Sequence, residues 1–244
     1  MRTPPAGDRG RFLVPAPTRD RLGRMNEPAD LLATRVAYDT VAVDYEALLR
    51  DELAAKPYDR AVLGVFAELV RASGDGEVAD LGCGPGRVTA HLATLGLDAF
   101  GIDLSPRMVE VARSRHPGLV FEVGSMAELD LPDGCLAGAV AWYSIIHTPA
   151  ERRPALFAEL ARVVRPGGWV LITFQAGDEV VPIRRAYGHD VRLDAFRLPT
   201  ARIVAELDSA GFAEHARLVR RPDDREKTDQ AIVVARRTEE TAGS

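Results

Sequence analysis

Residues 78–87 read Val-Ala-Asp-Leu-Gly-Cys-Gly-Pro-Gly-Arg, with three glycines crowded into the passage from a short apolar strand to an amphipathic helix. Few architectures use such a turn. Glycines there let another molecule approach the backbone closely, and in doubly wound sheets ligands bind at the carboxyl ends of the strands. A cofactor site is therefore the first expectation, and a tight turn without a ligand is the other.

The residues beyond the turn narrow the architecture. Strand patterns at Glu77–Leu81, Asp98–Asp103, Leu119–Val123, Ala137–Tyr143 and Trp169–Phe174 alternate with helical ones at Arg87–Leu95, from Pro106 to Arg115 and from about Pro149 to Val164. Ser105-Pro106 supplies an N-cap and a first-position proline, and Thr148-Pro149-Ala150-Glu151 reads as a capping box. Such alternation predicts an α/β fold, a doubly wound parallel sheet with helices on both faces. After a helix from Thr200 to Ala210, Phe212–Arg220 and Asp229–Arg236 read as strands joined by a short polar turn. That connection requires an antiparallel pair.

Two helical patterns precede the sheet, from Leu31 to about Leu53 and from Tyr58 to Ala72. The expected organisation is one domain over 29–240, with N-terminal helices at 29–73 and an insertion at 175–199, longer than a simple connection needs and placed to act as a lid. Residues 1–28 carry six Arg against three acids, five Pro and three Gly, the composition of a disordered basic tail. Met25, followed at once by a helical pattern, is a second candidate start. With net charge −5 for the chain and +3 in that tail, the remaining residues hold −8, which argues against a nucleic-acid backbone as partner. Two cysteines, Cys83 and Cys135, are too few for a thiolate metal site, and no metal is expected. Neither a spanning apolar run nor a secretory signal pattern is present, so the expectation is a cytoplasmic protein without membrane association.

Asp103 ends the second strand, 23 residues after Asp80, where a carboxylate can accept hydrogen bonds from both ribose hydroxyls of a nucleotide. Ser125 and Met126 follow the third strand, where a side chain and a backbone amide could flank an adenine ring; Met126 equally suits core filling. The run Asp80-x-Gly82-x-Gly84-x-Gly86, with Asp103, Ser125-Met126, Ala141–His147 after the fourth strand and Arg165-Pro166-Gly167-Gly168 before the fifth, resembles the class I S-adenosylmethionine-dependent methyltransferases of the small-molecule kind. The resemblance covers about Leu31 to Arg236. It implies a Rossmann-like, three-layer α/β/α fold with seven strands, mostly parallel, and an antiparallel C-terminal edge strand.

It also implies S-adenosyl-L-methionine as cofactor and S-adenosyl-L-homocysteine as product. By the same resemblance the backbone of Gly82, Cys83, Gly84 and Gly86, with Asp80 ordering the loop, holds the methionine moiety. Asp103 takes the ribose, Leu104 and Met108 lie against the adenine, Ser125 and Met126 meet its edge, and Trp142 borders the site. A nicotinamide-dependent oxidoreductase is the alternative, but its fingerprint is Gly-x-Gly-x-x-Gly, and here the third glycine comes one residue early. A non-catalytic cofactor-binding module is the other. The Asn- or Asp-Pro-Pro-aromatic tetrad of base-methylating enzymes is replaced by Ala141-Trp142-Tyr143-Ser144, so the expected partner is a small-molecule acceptor, in a monomer or homodimer.

Methyl transfer from a sulfonium needs alignment and exclusion of water, with a base only if the acceptor is protonated. His147, leaving the fourth strand on the cofactor side, is the candidate base or acceptor contact; a packing role at a helix entrance suits the same position. Tyr38 and Tyr45, seven apart on one helical face, Tyr143 and His189 are the candidate acceptor contacts, with ordinary core packing the other reading of the two helix tyrosines.

Overall fold

The computed structural model describes residues 27–239; the expected basic tail lies outside these residues apart from its last two. Helix α1 (Ala29–Leu49), the single turn α2 (Glu52–Ala55) and α3 (Pro57–Ala72) lead into β1 (Glu77–Leu81), α4 (Arg87–Thr94), β2 (Asp98–Asp103), α5 (Pro106–Arg115) and β3 (Phe121–Val123). Then come β4 (Leu136–Trp142), a 3-10 turn (Ile145–His147), α6 (Arg153–Val163) and β5 (Val164–Gln175). The chain ends with β6 (Val180–Ala186), β7 (His189–Phe196), α7 (Thr200–Ser209), β8 (Phe212–Arg220) and β9 (Gln230–Arg237). The seven-stranded sheet has the order β3-β2-β1-β4-β5-β9-β8, parallel from β3 to β5. Strand β9 runs antiparallel to both β5 and β8, so the reversed strand lies one place inside the edge and β8 closes the sheet.

Period-2 burial explains why the sheet takes helices on both faces. Along β9, Ala231, Val233 and Ala235 pack with α6 and α7, while Ile232 and Val234 pack with α3 and α4. Along β5, Val170, Ile172 and Phe174 take the first face and Trp169 and Leu171 the second. Each Val, Leu, Ile or Phe among them contributes roughly 1.5–3 kcal/mol when fully buried. Helix α5 begins as its sequence predicts: the Ser105 hydroxyl accepts the Met108 N–H at 3.0 Å.

Two local expectations are corrected, and a third gains detail. The capping box at Thr148 does not form; Thr148 caps the 3-10 turn, a hydrogen-bonded turn at Pro149–Arg152 follows, and α6 starts at Arg153 with Pro154 in its first turn. Pro166-Gly167-Gly168 does not precede β5 but lies within it, as an irregularity where pairing with β4 jumps from Val164 to Trp169. The insertion at 175–199 is a β-hairpin closed by Tyr187-Gly188, both at positive φ, the twist a two-residue hairpin loop requires. Its Val191 and Leu193 pack on Ala37 and Val41 of α1, which also packs on α5. No helix among the described residues is long and apolar enough to cross a membrane.

Candidate functional site

The glycine-rich turn is shaped from below by β2. The N–H groups of Gly82 and Cys83 both donate to the Ile102 carbonyl, at 2.7 and 3.1 Å. One Asp103 carboxylate oxygen accepts the Gly84 N–H at 2.8 Å and the other the Ser105 N–H at 2.8 Å. This carboxylate clamps both loops, and each oxygen keeps a further lone pair. Burial pushes its pKa up to about 6, against the lowering effect of the two N–H donors.

Above the clamp lies a narrow cleft roofed by α1. Gly82, Gly84, Asp103, Leu104, Met108, Ser125, Met126 and Trp142 line it, so the structure brings these sequence-predicted residues together. Ser144 lines it too; its hydroxyl is buried and without a hydrogen-bond partner. A Cβ on Gly82 would stand 2.4 Å from the Ser144 Cβ, so the two backbones form a cradle only glycine permits. Sequence reasoning passed over Ser144, although it sits inside the Ala141–His147 run.

Three predicted cofactor contacts do not line the cleft. Asp80 is fully buried beneath it and accepts a hydrogen bond from the Thr89 hydroxyl at 2.7 Å, tying β1 to α4; burial pushes its pKa up to about 7, with the Thr89 bond opposing. It orders the loop from underneath, as expected, without facing the cleft. The Cys83 side chain points the other way, its sulfur filling the space above Gly101, and burial drives its thiol pKa well up. Gly86 caps α4 at φ +83°, and a Cβ there would stand 2.6 Å from the Phe121 ring. Its glycine is a packing requirement.

A stability prediction separates the two glycine roles. Gly86→Ala combines left-handed strain with a clash against a buried ring and should lose about 2–4 kcal/mol, roughly 5–15 °C in melting temperature. Gly84→Ala, whose new Cβ would meet only a Tyr45 ring carbon at 3.9 Å, should lose no more than about 1–2 kcal/mol, and equal thermal losses in the two variants would refute the distinction.

His147 is nearly enclosed. Its Nδ1 lies 2.8 Å from the Asp194 carbonyl, and its Nε2 lies 2.8 Å from the Tyr38 hydroxyl. A carbonyl only accepts, so Nδ1 carries the hydrogen and Nε2 accepts from Tyr38. Burial lowers the imidazole pKa, partly offset by the Asp194 bond, and burial raises that of Tyr38 well above its usual value. Both are neutral at neutral pH, and Tyr38 and His147 line the cleft.

Tyr38, Tyr45, Tyr143 and His147 also line a second cavity of about 510 Å³ between α1, the β6–β7 hairpin and the turn joining β8 to β9. The Tyr45 and Tyr187 rings meet at 4.9 Å, so the hairpin loop supplies an aromatic wall. Tyr143 holds φ +53°, a strain of order 1–3 kcal/mol, between the two spaces. His189 is corrected: at the loop end of β7 it points to the outside of α1, where its Nε2 lies 2.7 Å from the Asp44 carboxylate, and it lines neither space.

Residues 78–168 match the family model of the methyltransferase domain. An uncharacterised methyltransferase of Mycobacterium tuberculosis is 34% identical over 120 residues, 48% of this chain and 47% of that protein. A demethylmenaquinone methyltransferase of Beutenbergia cavernae is 28% identical over 169 residues, covering 69% and 68%. Among solved structures, the 1,6-didemethyltoxoflavin-N1-methyltransferase of Burkholderia thailandensis, with 1,6-didemethyltoxoflavin and S-adenosylhomocysteine bound, superposes with a TM-score of 0.64 at 20% identity over 85% of this chain and 88% of that one. The chain spans about half the length of the first curated relatives it matches.

Proposed function

We propose that this chain transfers a methyl group from S-adenosylmethionine to a small-molecule acceptor: residues 78–168 match the methyltransferase-domain model, and the seven-stranded sheet is shared with S-adenosylmethionine-dependent methyltransferase structures. The observation that carries the reading is the Asp103 clamp opposite the Gly82–Ser144 cradle, with a second, larger cavity joined to it through Tyr38, Tyr45, Tyr143 and His147. The donor set suits the cofactor. Asp103 retains acceptor capacity for ribose hydroxyls, Leu104, Met108 and Met126 offer apolar walls to a base, and the backbone at Gly82 and Gly84 with the unpartnered Ser144 hydroxyl faces where a polar amino-acid end would lie. When bound, the cofactor supplies an electrophilic sulfonium methyl group.

The chain's own contribution is then alignment, exclusion of water and removal of a proton. Helix α1 roofs the cleft and the hairpin walls the second cavity, so an acceptor held between the tyrosines is shielded from bulk water. An acceptor hydroxyl or N–H hydrogen-bonded to the Tyr38 oxygen can pass its proton there while the Tyr38 proton moves to His147 Nε2. The Asp194 carbonyl holds the imidazole in the tautomer that accepts it. The demethylmenaquinone and didemethyltoxoflavin specificities of the two relatives support an acceptor of small-molecule size.

A thermal-shift comparison with S-adenosylmethionine, S-adenosylhomocysteine and NAD tests the cofactor. The first two should raise the melting temperature and NAD should not; stabilisation by NAD alone would point to the oxidoreductase alternative and overturn the proposal. Radiolabelled methyl transfer into a metabolite extract tests the activity: label should appear in an organic-soluble small molecule, whereas cofactor binding without label transfer would leave a binding module.

A further inference from the structure

At the second cavity five charged side chains from distant parts of the chain meet, of which Lys56, Asp59 and Glu226 line it. Lys56, just before α3, bonds Asp223 and Glu226 of the β8–β9 turn, the latter at 2.6 Å, and Arg220 at the end of β8 grips both Glu226 oxygens. Burial pushes Glu226 up, but these hydrogen bonds outweigh it and hold the carboxyl down at about 2. The fifth member, Asp59, is only 4% exposed. It lines the cavity, yet its Oδ1 accepts no hydrogen bond, and Arg220, already committed to Glu226, comes no nearer than 3.8 Å. A helix N-terminal charge would need no such enclosure.

A buried carboxylate oxygen without a donor costs free energy; Asp80 Oδ1 shares that state beneath the cleft, but Asp59 lines a cavity from which an occupant can supply the donor. The cations around the same cavity point the same way. Lys56, Arg87 and Arg197 each carry a carboxylate partner already, Asp223 and Glu226 for the first, Glu52 and Glu179 for the others, so their charges are balanced, and among them the buried Arg87 Nε has no hydrogen-bond partner. The cations without a carboxylate partner, Arg185, Arg225 and Lys227, are exposed at the rim, where water screens them. The hairpin lines the cavity with the apolar side chains of Val181, Ile183, Val191 and Leu193.

We propose that Asp59 anchors a hydroxyl or N–H group of the methyl acceptor other than its reacting one. The acceptor is then a mid-sized, largely apolar molecule with a hydrogen-bond donor besides its reacting atom, in keeping with a cavity of about 510 Å³. The assignment rests on the methyl-transfer reading, which gives this cavity its occupant. Asp59 thus acts as a specificity residue, and Lys56, Arg220 and Glu226 position it by fixing the turn across from α3.

The test uses full-length protein with S-adenosylhomocysteine at saturation and ligand-observed NMR titration of two matched pairs, phenol with anisole and benzyl alcohol with benzyl methyl ether. The alcohols should bind at least about tenfold more tightly than their ethers, the difference a donor to a buried carboxylate makes. Asp59→Leu, which keeps the volume and removes the acceptor, should abolish the preference while leaving S-adenosylhomocysteine affinity unchanged. Equal binding of alcohol and ether to the unsubstituted protein, or no binding by any fragment, overturns the assignment without recourse to a variant, so a poorly folded Asp59→Leu does not protect it. If S-adenosylhomocysteine itself fails to bind, the methyl-transfer reading falls separately, and the fragment pairs measured without it still decide whether Asp59 selects a donor.

Discussion

Asp103→Ala should weaken S-adenosylhomocysteine binding by at least about a hundredfold in calorimetric titration. The carboxylate holds the Gly84 and Ser105 N–H groups on one lone pair of each oxygen and has one left on each for the two ribose hydroxyls. Hydrogen bonds to a charged acceptor contribute roughly 1.5–3 kcal/mol each, so losing two exceeds about 3 kcal/mol before the freed loop is counted. The pH dependence gives a second check. Burial raises this carboxyl to about 6, and protonation removes an acceptor, so affinity should fall as pH drops below about 6 in the unsubstituted protein and stay flat in the variant. Folding responds in the opposite sense: a folded-state pKa above the ordinary 3.8 gives a stabilising contribution that is full below that value and is lost as pH rises toward 6. Mild acid should therefore favour the fold while weakening the cofactor. Unchanged affinity in Asp103→Ala would remove the ribose role.

The cofactor half of this site was legible because its determinants are local. Asp103, two residues before the helix cap Ser105, and glycines spaced through one turn are short-range features whose geometry follows from strand end, cap and positive φ. Where that reading failed, the missing information was tertiary. Gly86 and Gly82 look alike in sequence; only the Phe121 ring beneath one and Ser144 beside the other separate packing from binding. Thr148-Pro149 has the letters of a capping box, but the 3-10 turn carrying His147 uses Thr148 as its own end, and α6 is displaced.

The acceptor half was barely legible. Pro182 and the arginine pair Arg184-Arg185 blur the alternation of β6, and Tyr187-Gly188 lacks the Asn-Gly or Asp-Gly signal of a two-residue hairpin loop, so residues 175–199 read as a loop. Lys56 and Asp59 gain meaning only when the β8–β9 turn, more than 160 residues on, closes over them. The division has a physical basis: a cofactor that approaches backbone leaves a glycine pattern, whereas an acceptor chamber assembled from side chains of α1, α3, a hairpin and a turn leaves no local periodicity.

His147→Ala should lower the rate of label transfer into a metabolite extract by about a hundredfold to ten-thousandfold, with S-adenosylhomocysteine affinity within about twofold of the unsubstituted protein. The expected size follows from the enclosure. Both imidazole nitrogens are engaged, Nδ1 by the Asp194 carbonyl and Nε2 by the Tyr38 hydroxyl, so His147 is the side chain placed to take the Tyr38 proton. Tyr38→Phe separates relay from packing: the ring and its contacts with Tyr45 and His147 remain, and only the hydroxyl goes. A relay requires the rate to fall nearly as far as in His147→Ala; a packing residue would leave it within a few-fold. The pH profile adds a readout that packing cannot mimic. Burial lowers the His147 pKa below its ordinary 6.5, so the rate should rise with pH through a midpoint under 6.5 and be level from neutrality upward. That limb should vanish in His147→Ala, because an alanine has no proton to lose. A variant with the original limb intact would assign the titration to another group, and an unaltered rate at every pH would return His147 to a structural role between the 3-10 turn and β7.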